Sequence, residues 1–367
     1  MYITALEAIP VSVPVRTPLK MAVATVHERT CILVQVTTDT GVVGLGESVL
    51  ARYFTGESHA SAMDLIQNVV APVLVGRDAG DLAGIRHLLG RITVNNSGAR
   101  AAIEMALHDA VARQAGVPLY EYYGGRARPS VPTIWHVSGG DPTAAAREAK
   151  AAAAEGYPLV KVKVGHAVDD DLAVVKAVRE AVGSEVELLL DANQGWDVES
   201  AIRFARGVVD ASPAFIEQPV HRDDVLGMVA VNQATDIVIA GDEGIFDAAD
   251  LRLYLELGAV GAVVAKLMKA SGPIGVQEIF AVADAAGIGV HFAGMAGQTS
   301  ISAAHGAHLA LAAPNLQFGS GIGPQYLAAD IVTVPFLPVA GHLYPSDRPG
   351  IGLELDREAV ERYRVDR

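Results

Sequence analysis

Six ionisable side chains stand at the ends of short apolar runs, and their types suit metal-assisted proton transfer. They are Lys161 and Lys163 in LVKVKVG, Asp191 after VELLL, Glu217 after AFI, Asp242 after IVIAG and Lys266 after AVVA. Three carboxylates suit a hard divalent cation such as Mg²⁺, which prefers oxygen ligands, and lysines beside it can move protons. A single acid at a strand end is more often a helix N-cap. The prediction of an active site therefore depends on the repetition along successive runs.

The spacing of these residues predicts the elements that position them. From Lys163 onward, each follows the previous one by about 25 residues, which is the length of one strand–helix unit in a parallel sheet. In a closed barrel of such units, the C-terminal strand ends meet at one mouth, where active sites lie. Eight strand patterns run from Val131 to Gly319, and a proline-rich extended segment follows instead of a helix. We predict an α/β fold with a (β/α)7β TIM-like barrel over residues 126–325.

The chain before the barrel has the pattern of a separate α+β capping domain, residues 1–125. Residues 1 to about 50 alternate or are β-branched, with a turn at Asp39-Thr40-Gly41. Three helical patterns follow, over residues 58–76, 82–92 and 98–116, and Gly116 is expected to cap the last of them. The C-terminal tail, residues 326–367, is expected to return to this domain.

Composition excludes several classes of protein. The net charge of −14 argues against nucleic acid as a partner, and no uncharged apolar run is long enough to span a membrane. The N-terminus lacks the pattern of a signal peptide. The single cysteine, Cys31, lies in an apolar run and fits a core position in a reducing compartment. We therefore expect a cytoplasmic protein that does not bind a membrane.

The strand-end motifs, taken in order, resemble those of the enolase superfamily and specifically its muconate lactonizing enzyme subgroup. They are K-x-K, D-x-N, E-Q-P, G-D-E and K-L-M-K on the second to sixth barrel strands. The resemblance covers nearly the whole chain. It implies that Asp191, Glu217 and Asp242 bind Mg²⁺ or Mn²⁺, and that Lys163 and Lys266 face each other as acid/base groups.

The resemblance also assigns supporting roles. It places Glu243 and Asn193 beside the metal, with Asn193 also near the substrate. It implies that Lys161 contacts the substrate carboxylate or a metal ligand, and that Gln298 contacts the substrate. Arg52 and Tyr53 in ARYFTGES fall where the family has a mobile specificity loop. A homo-oligomer, dimer-based and possibly octameric, is expected as in the family.

The implied activity is muconate cycloisomerase, which interconverts the dicarboxylate cis,cis-muconate and muconolactone through an enolate. Lys163 would donate the proton, and crowding by Lys161 and a cation is expected to lower the pKa of this lysine. Lys266 would act mainly as an electrostatic partner on the opposite face.

Alternatives remain within the same scaffold. The main one is a racemase or epimerase of N-acylated or N-methylated amino acids, since two lysines also serve proton exchange on both faces; another cycloisomerase or a synthase of the subgroup also fits. The dipeptide epimerases of the subgroup carry Asp-x-Asp at the eighth strand, whereas this chain has FGSGIG. Lys266 disfavours a sugar-acid dehydratase, and the lack of His-x-His disfavours a zinc hydrolase. A non-catalytic relative would have no reason to keep the whole set. His291 is expected in the core rather than at the mouth.

Overall fold

A three-stranded antiparallel sheet forms the first part of the chain. In the computed structural model, which describes residues 1–21 and 24–365, its strands are β1 (Ile3–Met21), β2 (Ala24–Thr38) and β3 (Val43–Val49), in that order. Alternation along β2 separates two apolar layers: Ile32, Val34 and Val36 belong to one buried cluster, whereas Cys31 and Leu33 belong to another. The predicted core position of Cys31 is confirmed, since its side chain is fully buried.

Helices follow the sheet, and all but the last of them cover the first of these layers. They are α1 (His59–Asp64), α2 (Ala71–Leu74), α3 (Leu82–Ile92), α4 (Ser97–Ala115) and α5 (Leu119–Tyr122), with a π-helical segment Leu65–Val70 joining the first two. Gly116 ends α4 with a left-handed backbone, φ +72°. The three helical patterns and this cap are therefore confirmed, and only the π-helical segment was not expected from the pattern.

An eight-stranded parallel barrel follows, with a bridge between Thr133 and Ser320 joining its first and last strands. After the short strand β4 (Val131–Pro132), the barrel strands are β5 (Ile134–Val137), β6 (Leu159–Lys163), β7 (Glu187–Asp191), β8 (Phe215–Glu217), β9 (Ile239–Gly241), β10 (Ala262–Ala265), β11 (Gly289–Ala293) and β12 (Ser320–Gly321). Each strand pairs with the next in chain order. The predicted α/β barrel fold is confirmed.

Seven helices connect the eight barrel strands, and none follows β12 directly. They are α6 (Pro142–Ala154), α7 (Val168–Val182), α8 (Val198–Gly207), α9 (Val225–Gln233), α10 (Ala248–Glu256), α11 (Pro273–Ala286) and α12 (Ser300–Ala312), with a 3₁₀ turn Val209–Ala211 after α8. No helix in the described ranges is long and apolar enough to cross a bilayer.

The tail after β12 runs back along β1. Its elements are β13 (His342–Leu343), which pairs with β4, and α13 (Arg357–Tyr363). The backbone N–H of Ala328 donates to Pro14 O at 2.8 Å, and that of Val365 donates to Pro10 O at 3.0 Å. On these contacts we propose domain boundaries after residues 125 and 325, with the tail completing the capping domain.

Candidate active site

Alternation along the barrel strands brings the six ionisable residues into the barrel. One member of each strand belongs to a buried apolar cluster inside the barrel, and the ionisable residue lies two or four positions later, on the same face. The pairs are Leu159 with Lys161 and Lys163, Leu189 with Asp191, Phe215 with Glu217, Ala240 with Asp242, and Val264 with Lys266. Each acid or lysine therefore points inward at the C-terminal end of its strand.

Lysines and acids pair inside this mouth. Lys161 Nζ lies 2.5 Å from Glu217 Oε2, and Lys163 Nζ lies 2.6 Å from Asp191 Oδ2. Lys266 donates to Asp242 Oδ2. Lys161, Glu217 and Asp242 are almost completely buried, whereas Lys163 retains about a fifth of its side-chain surface. The structure thus brings together all six residues that the sequence analysis selected.

Asp242 has a second lysine partner that the sequence analysis left without a role. Lys269 Nζ donates to Asp242 Oδ1 at 2.7 Å, to Asp242 O at 2.6 Å and to Val264 O at 2.8 Å. Its side chain is fully buried. The signal was available in K-L-M-K, where Lys269 follows Lys266 by one turn.

The residues just after the acids adopt a backbone conformation that is rare outside glycine. Asn193, Gln194 and Gln218 have φ of 42°, 68° and 38°. Such strain persists only where surrounding contacts hold it, and it clusters at active sites. Gln218 Oε1 accepts from the backbone N–H of Asp242 at 3.0 Å, and Asn193 Oδ1 accepts from Lys163 Nζ at 2.7 Å. The strained residues therefore fix the positions of an acid and a lysine.

Like charge and burial perturb the carboxyl groups. Burial, followed by the charge of Asp191, raises the pKa of Glu217 to about 8. Burial, followed by the charges of Asp242 and Asp191, raises the pKa of Glu243 to about 7. Glu243 Oε1 accepts from Asn193 Nδ2 at 3.1 Å, whereas the buried Oε2 has no hydrogen-bond partner among the described residues.

The charge of the hydrogen-bonded Asp191 opposes the lowering of the Lys163 pKa that we expect from Lys161 and a bound cation, and that lowering stays a prediction. Burial lowers the pKa of Lys163, but the nearby charges of Asp191 and Glu217 outweigh burial and raise the pKa above its usual range. The same balance, dominated on the raising side by Asp242, raises the pKa of Lys266. Strand-end spacing shows which cations lie near each lysine, but it does not show that a carboxylate will bond directly to each of them.

The donor chemistry of the site fits a hard divalent cation. Asp191, Glu217 and Asp242 are three buried oxygen donors on consecutive strands, and the negative charges of Asp191 and Asp242 act on Glu217. A cation would relieve this repulsion, and the orphaned Oε2 of Glu243 adds to the excess of negative oxygen. Over the part of the chain that the structure describes, no three His, Cys, Asp or Glu side chains already surround a metal position. Each of the three acids bonds a lysine instead.

A cavity of about 200 Å³ lies over the strand ends, between the barrel mouth and the capping domain. The barrel contributes Lys161, Lys163, Asp191, Asn193, Glu217, Glu243 and Lys266, and the capping domain contributes Arg16, Arg29, Tyr53 and Phe54. The Phe54 ring lies 4.7 Å from Lys266 Nζ and covers that lysine. Neither Arg29 nor Phe54 was selected from the sequence.

Two predicted substrate contacts do not line this cavity. Arg52 is exposed and is not among the residues that line the cavity. Gln298 is buried and its Oε1 accepts from Met295 N at 3.0 Å, which closes the turn after β11. His291 is fully buried and its Nδ1 lies 2.9 Å from Phe318 O, as expected for a core residue.

The first and last barrel strands form the wall opposite β8 and β9. Trp135 Nε1 donates to Glu148 Oε1 at 3.2 Å, and the His136 backbone N–H donates to Tyr326 Oη at 2.9 Å. Gly321 and Gln325 complete this wall. The eighth strand and its loop offer no carboxylate to the cavity among the described residues.

A barrel of this kind, with three acids and opposed lysines at its mouth, defines a class of metal-assisted acid/base enzymes. Family models agree: residues 4–124 match the mandelate racemase / muconate lactonizing enzyme N-terminal domain, and residues 144–359 match the enolase C-terminal domain-like family. The chain belongs to the enolase superfamily, and it is an isomerase.

Similar proteins of known structure or name catalyse different isomerisations. The L-Ala-D/L-Glu epimerase of Bacillus subtilis is 33% identical over 358 residues, 96% of this chain and 97% of that protein. The muconate lactonizing enzyme from Pseudomonas fluorescens, solved with muconolactone, has a TM-score of 0.95 and 33% identity, covering 99% of both chains. The dipeptide epimerase from Enterococcus faecalis, solved with Mg and the dipeptide L-Leu-L-Tyr, has a TM-score of 0.92 and 28% identity, covering 96% of this chain and 100% of that one.

Proposed function

We propose that this chain is a muconate cycloisomerase that converts cis,cis-muconate to muconolactone. One observation carries the proposal: Lys163 and Lys266 reach one cavity from the second and sixth strands of an eight-stranded barrel, and the eighth strand carries no acid for a substrate ammonium group. Strands four positions apart lie across the barrel from each other. The likeness to the structure that holds muconolactone supports the same substrate class.

In this reaction one carboxylate of muconate adds to the conjugated double bond and closes the lactone ring. The electrons move to the carbon beside the other carboxylate, and one proton delivered to that carbon completes the isomerisation. A divalent cation held by Asp191, Glu217 and Asp242 would neutralise the charge that develops on that other carboxylate.

Lys163 is the proton donor in this scheme. Its Nζ is held by Asp191 at 2.6 Å and Asn193 at 2.7 Å, which fixes the position of the amine at the cavity. Lys266 lies on the opposite side, covered by Phe54, where its positive charge stabilises the enolate. Lys161 is buried against Glu217 and orients that acid.

The decisive experiment follows cis,cis-muconate by its ultraviolet absorbance in the presence of Mg²⁺. We expect Lys163→Ala to fold, yet to lose kcat by several orders of magnitude, because the lysine acts only in the transition state. Lys176→Ala, on the exposed face of α7, is the matched control and should keep full activity. In deuterated water the wild type should place one deuterium on the protonated carbon with a single handedness.

A racemase of N-acylated amino acids is the second candidate, because the two opposed lysines would also remove and return a proton on opposite faces. Exchange of the α-proton of N-acylamino acids in deuterated water, with no turnover of muconate, would establish this function instead. Random deuterium placement in muconolactone would show that the proton comes from solvent and that Lys163 has another role.

A further inference from the structure

Arg29 is a buried cation without a partner. Its side chain is 4% exposed, and within the described ranges Nε and Nη2 have no hydrogen-bond acceptor and no carboxylate pairs with the guanidinium. An unpaired charge is strongly destabilised when it is taken out of water. A protein with a net charge of −14 holds ample carboxylates that could have paired with it. The arrangement therefore leaves Arg29 ready for an anion from outside the chain.

The position of Arg29 directs it toward the cavity. It lies on β2, paired with Val13 of β1, and it follows the same alternation as Cys31 and Leu33. Those two residues pack in the apolar cluster that faces the barrel mouth and includes Phe54. Glu28, the residue before Arg29, projects from the other face of the strand, where it accepts a hydrogen bond from Ser12 Oγ at 2.8 Å. Glu28 is thus not placed to neutralise Arg29.

Each acid that lines the cavity bonds a group other than Arg29, and only Oε2 of Glu243 has no partner among the described residues. Asp191 and Glu217 bond lysines, Glu243 bonds Asn193, and both oxygens of Glu148 accept hydrogen bonds, from Trp135 Nε1 and from Ser138 N at 3.1 Å. Arg16 lines the same cavity at its exposed rim, and its Nε donates to Leu327 O at 2.8 Å. The capping side of the cavity therefore carries two guanidinium groups and no carboxylate among the described residues.

We propose that Arg29 binds a second carboxylate of the substrate, on the capping side of the cavity, and so selects dianionic substrates. This proposal rests on the proposed function only for the identity of the dianion, which is muconate there. An arginine fork binds both oxygens of a carboxylate. In a cycloisomerase that carboxylate is the one that closes the ring, and its charge is lost in the lactone. Arg29 then holds substrate more tightly than product.

The first test measures binding without turnover. Adipate has the six-carbon chain and the two carboxylates of muconate but no double bond, and hexanoate has one carboxylate. With Mg²⁺ present, calorimetry should show the wild type binding adipate more tightly than hexanoate by on the order of 10- to 100-fold. Arg29→Met should lose this preference, and Arg29→Lys, which keeps the charge without the fork, should retain part of it. Arg91→Met, at an exposed arginine of α3 outside the cavity lining, is the matched control and should leave it intact.

The second test measures KM and kcat for muconate separately. Because the charge on the bound carboxylate decreases as the ring closes, Arg29→Met should raise KM by on the order of 10- to 100-fold and change kcat less. If the wild type turns over muconate and Arg29→Met leaves both KM and the adipate preference unchanged, the subsite is refuted and the proposed function stands. If muconate is not a substrate but the adipate preference is lost in Arg29→Met, the subsite stands and the proposed function fails.

Discussion

At the scale of single residues, the most informative outcome concerns the charges around Asp242. The sequence supplied each strand-end acid and lysine, because a run of apolar residues that stops at a charge is visible without a structure. It did not show which lysine would meet which acid. Lys266 and Lys269 both bond Asp242, so that one carboxylate carries two cations and its pKa falls well below its usual range.

Lys269 is a positioning residue, and its removal should affect stability more than a surface lysine does. Lys269→Met removes the hydrogen bonds that Lys269 donates to Asp242 Oδ1, Asp242 O and Val264 O, and should lower the free energy of unfolding by about 3 kcal/mol, as for other broken buried ion pairs. Chemical denaturation measures this directly. Lys176→Met, on the exposed face of α7, should change it by less than about 0.5 kcal/mol. Equal effects of the two substitutions would mean that Lys269 does not hold Asp242 in place.

At the scale of elements, the strands and helices were predictable because alternation and helical spacing agree with the burial that they finally have. In the barrel strands that carry the site, the inward-facing residue is apolar near the start of the strand and charged at the mouth. Arg52 was predicted to contact the substrate because it falls in the specificity loop of the family. Arg29 was not predicted, because its assignment depends on the alternation of side chains along β2. Arg29 shares the parity of Cys31 and Leu33, and that pattern alone was enough to place it on the inward face.

Strand β3 and helix α4 pack closely at Gly46, and this contact should not tolerate a side chain. A Cβ on Gly46 would lie 2.0 Å from Ala102 O and 2.7 Å from Ala106 N, both backbone atoms of α4. Gly46→Ala should therefore lower the free energy of unfolding by about 1–3 kcal/mol through overpacking. Gly90→Ala is the matched control, because Gly90 is exposed on α3 and a Cβ there would lie 3.8 Å from the far end of the Arg100 side chain. This substitution should raise the free energy of unfolding by up to about 1 kcal/mol. Thermal melts that shift both variants the same way would contradict this account.

At the scale of the whole molecule, the cavity exists only because the capping sheet and its C-terminal tail lie over the barrel mouth. Phe54 meets Lys266 and Arg29 reaches the cavity across that junction, so neither contact follows from spacing within one domain. Strand-end residues could be predicted because one repeated unit positions them all. Contacts between the two domains depend on a docking geometry that no local pattern encodes. The even-numbered homo-oligomer stays a prediction.

A bound divalent cation should stabilise the molecule as a whole, because it would join three consecutive barrel strands at their ends. Mg²⁺ in hundredfold excess over its Kd should raise the free energy of unfolding by about 2.7 kcal/mol, seen as a higher Tm by calorimetry and reversed by a chelator. Glu217→Gln should lose most of this increment, since it removes a charged oxygen donor, whereas the exposed Glu185→Gln should keep it. Because the readout is unfolding, it does not depend on which substrate the enzyme uses. An equal Mg²⁺ response in both variants would remove Glu217 from the metal site.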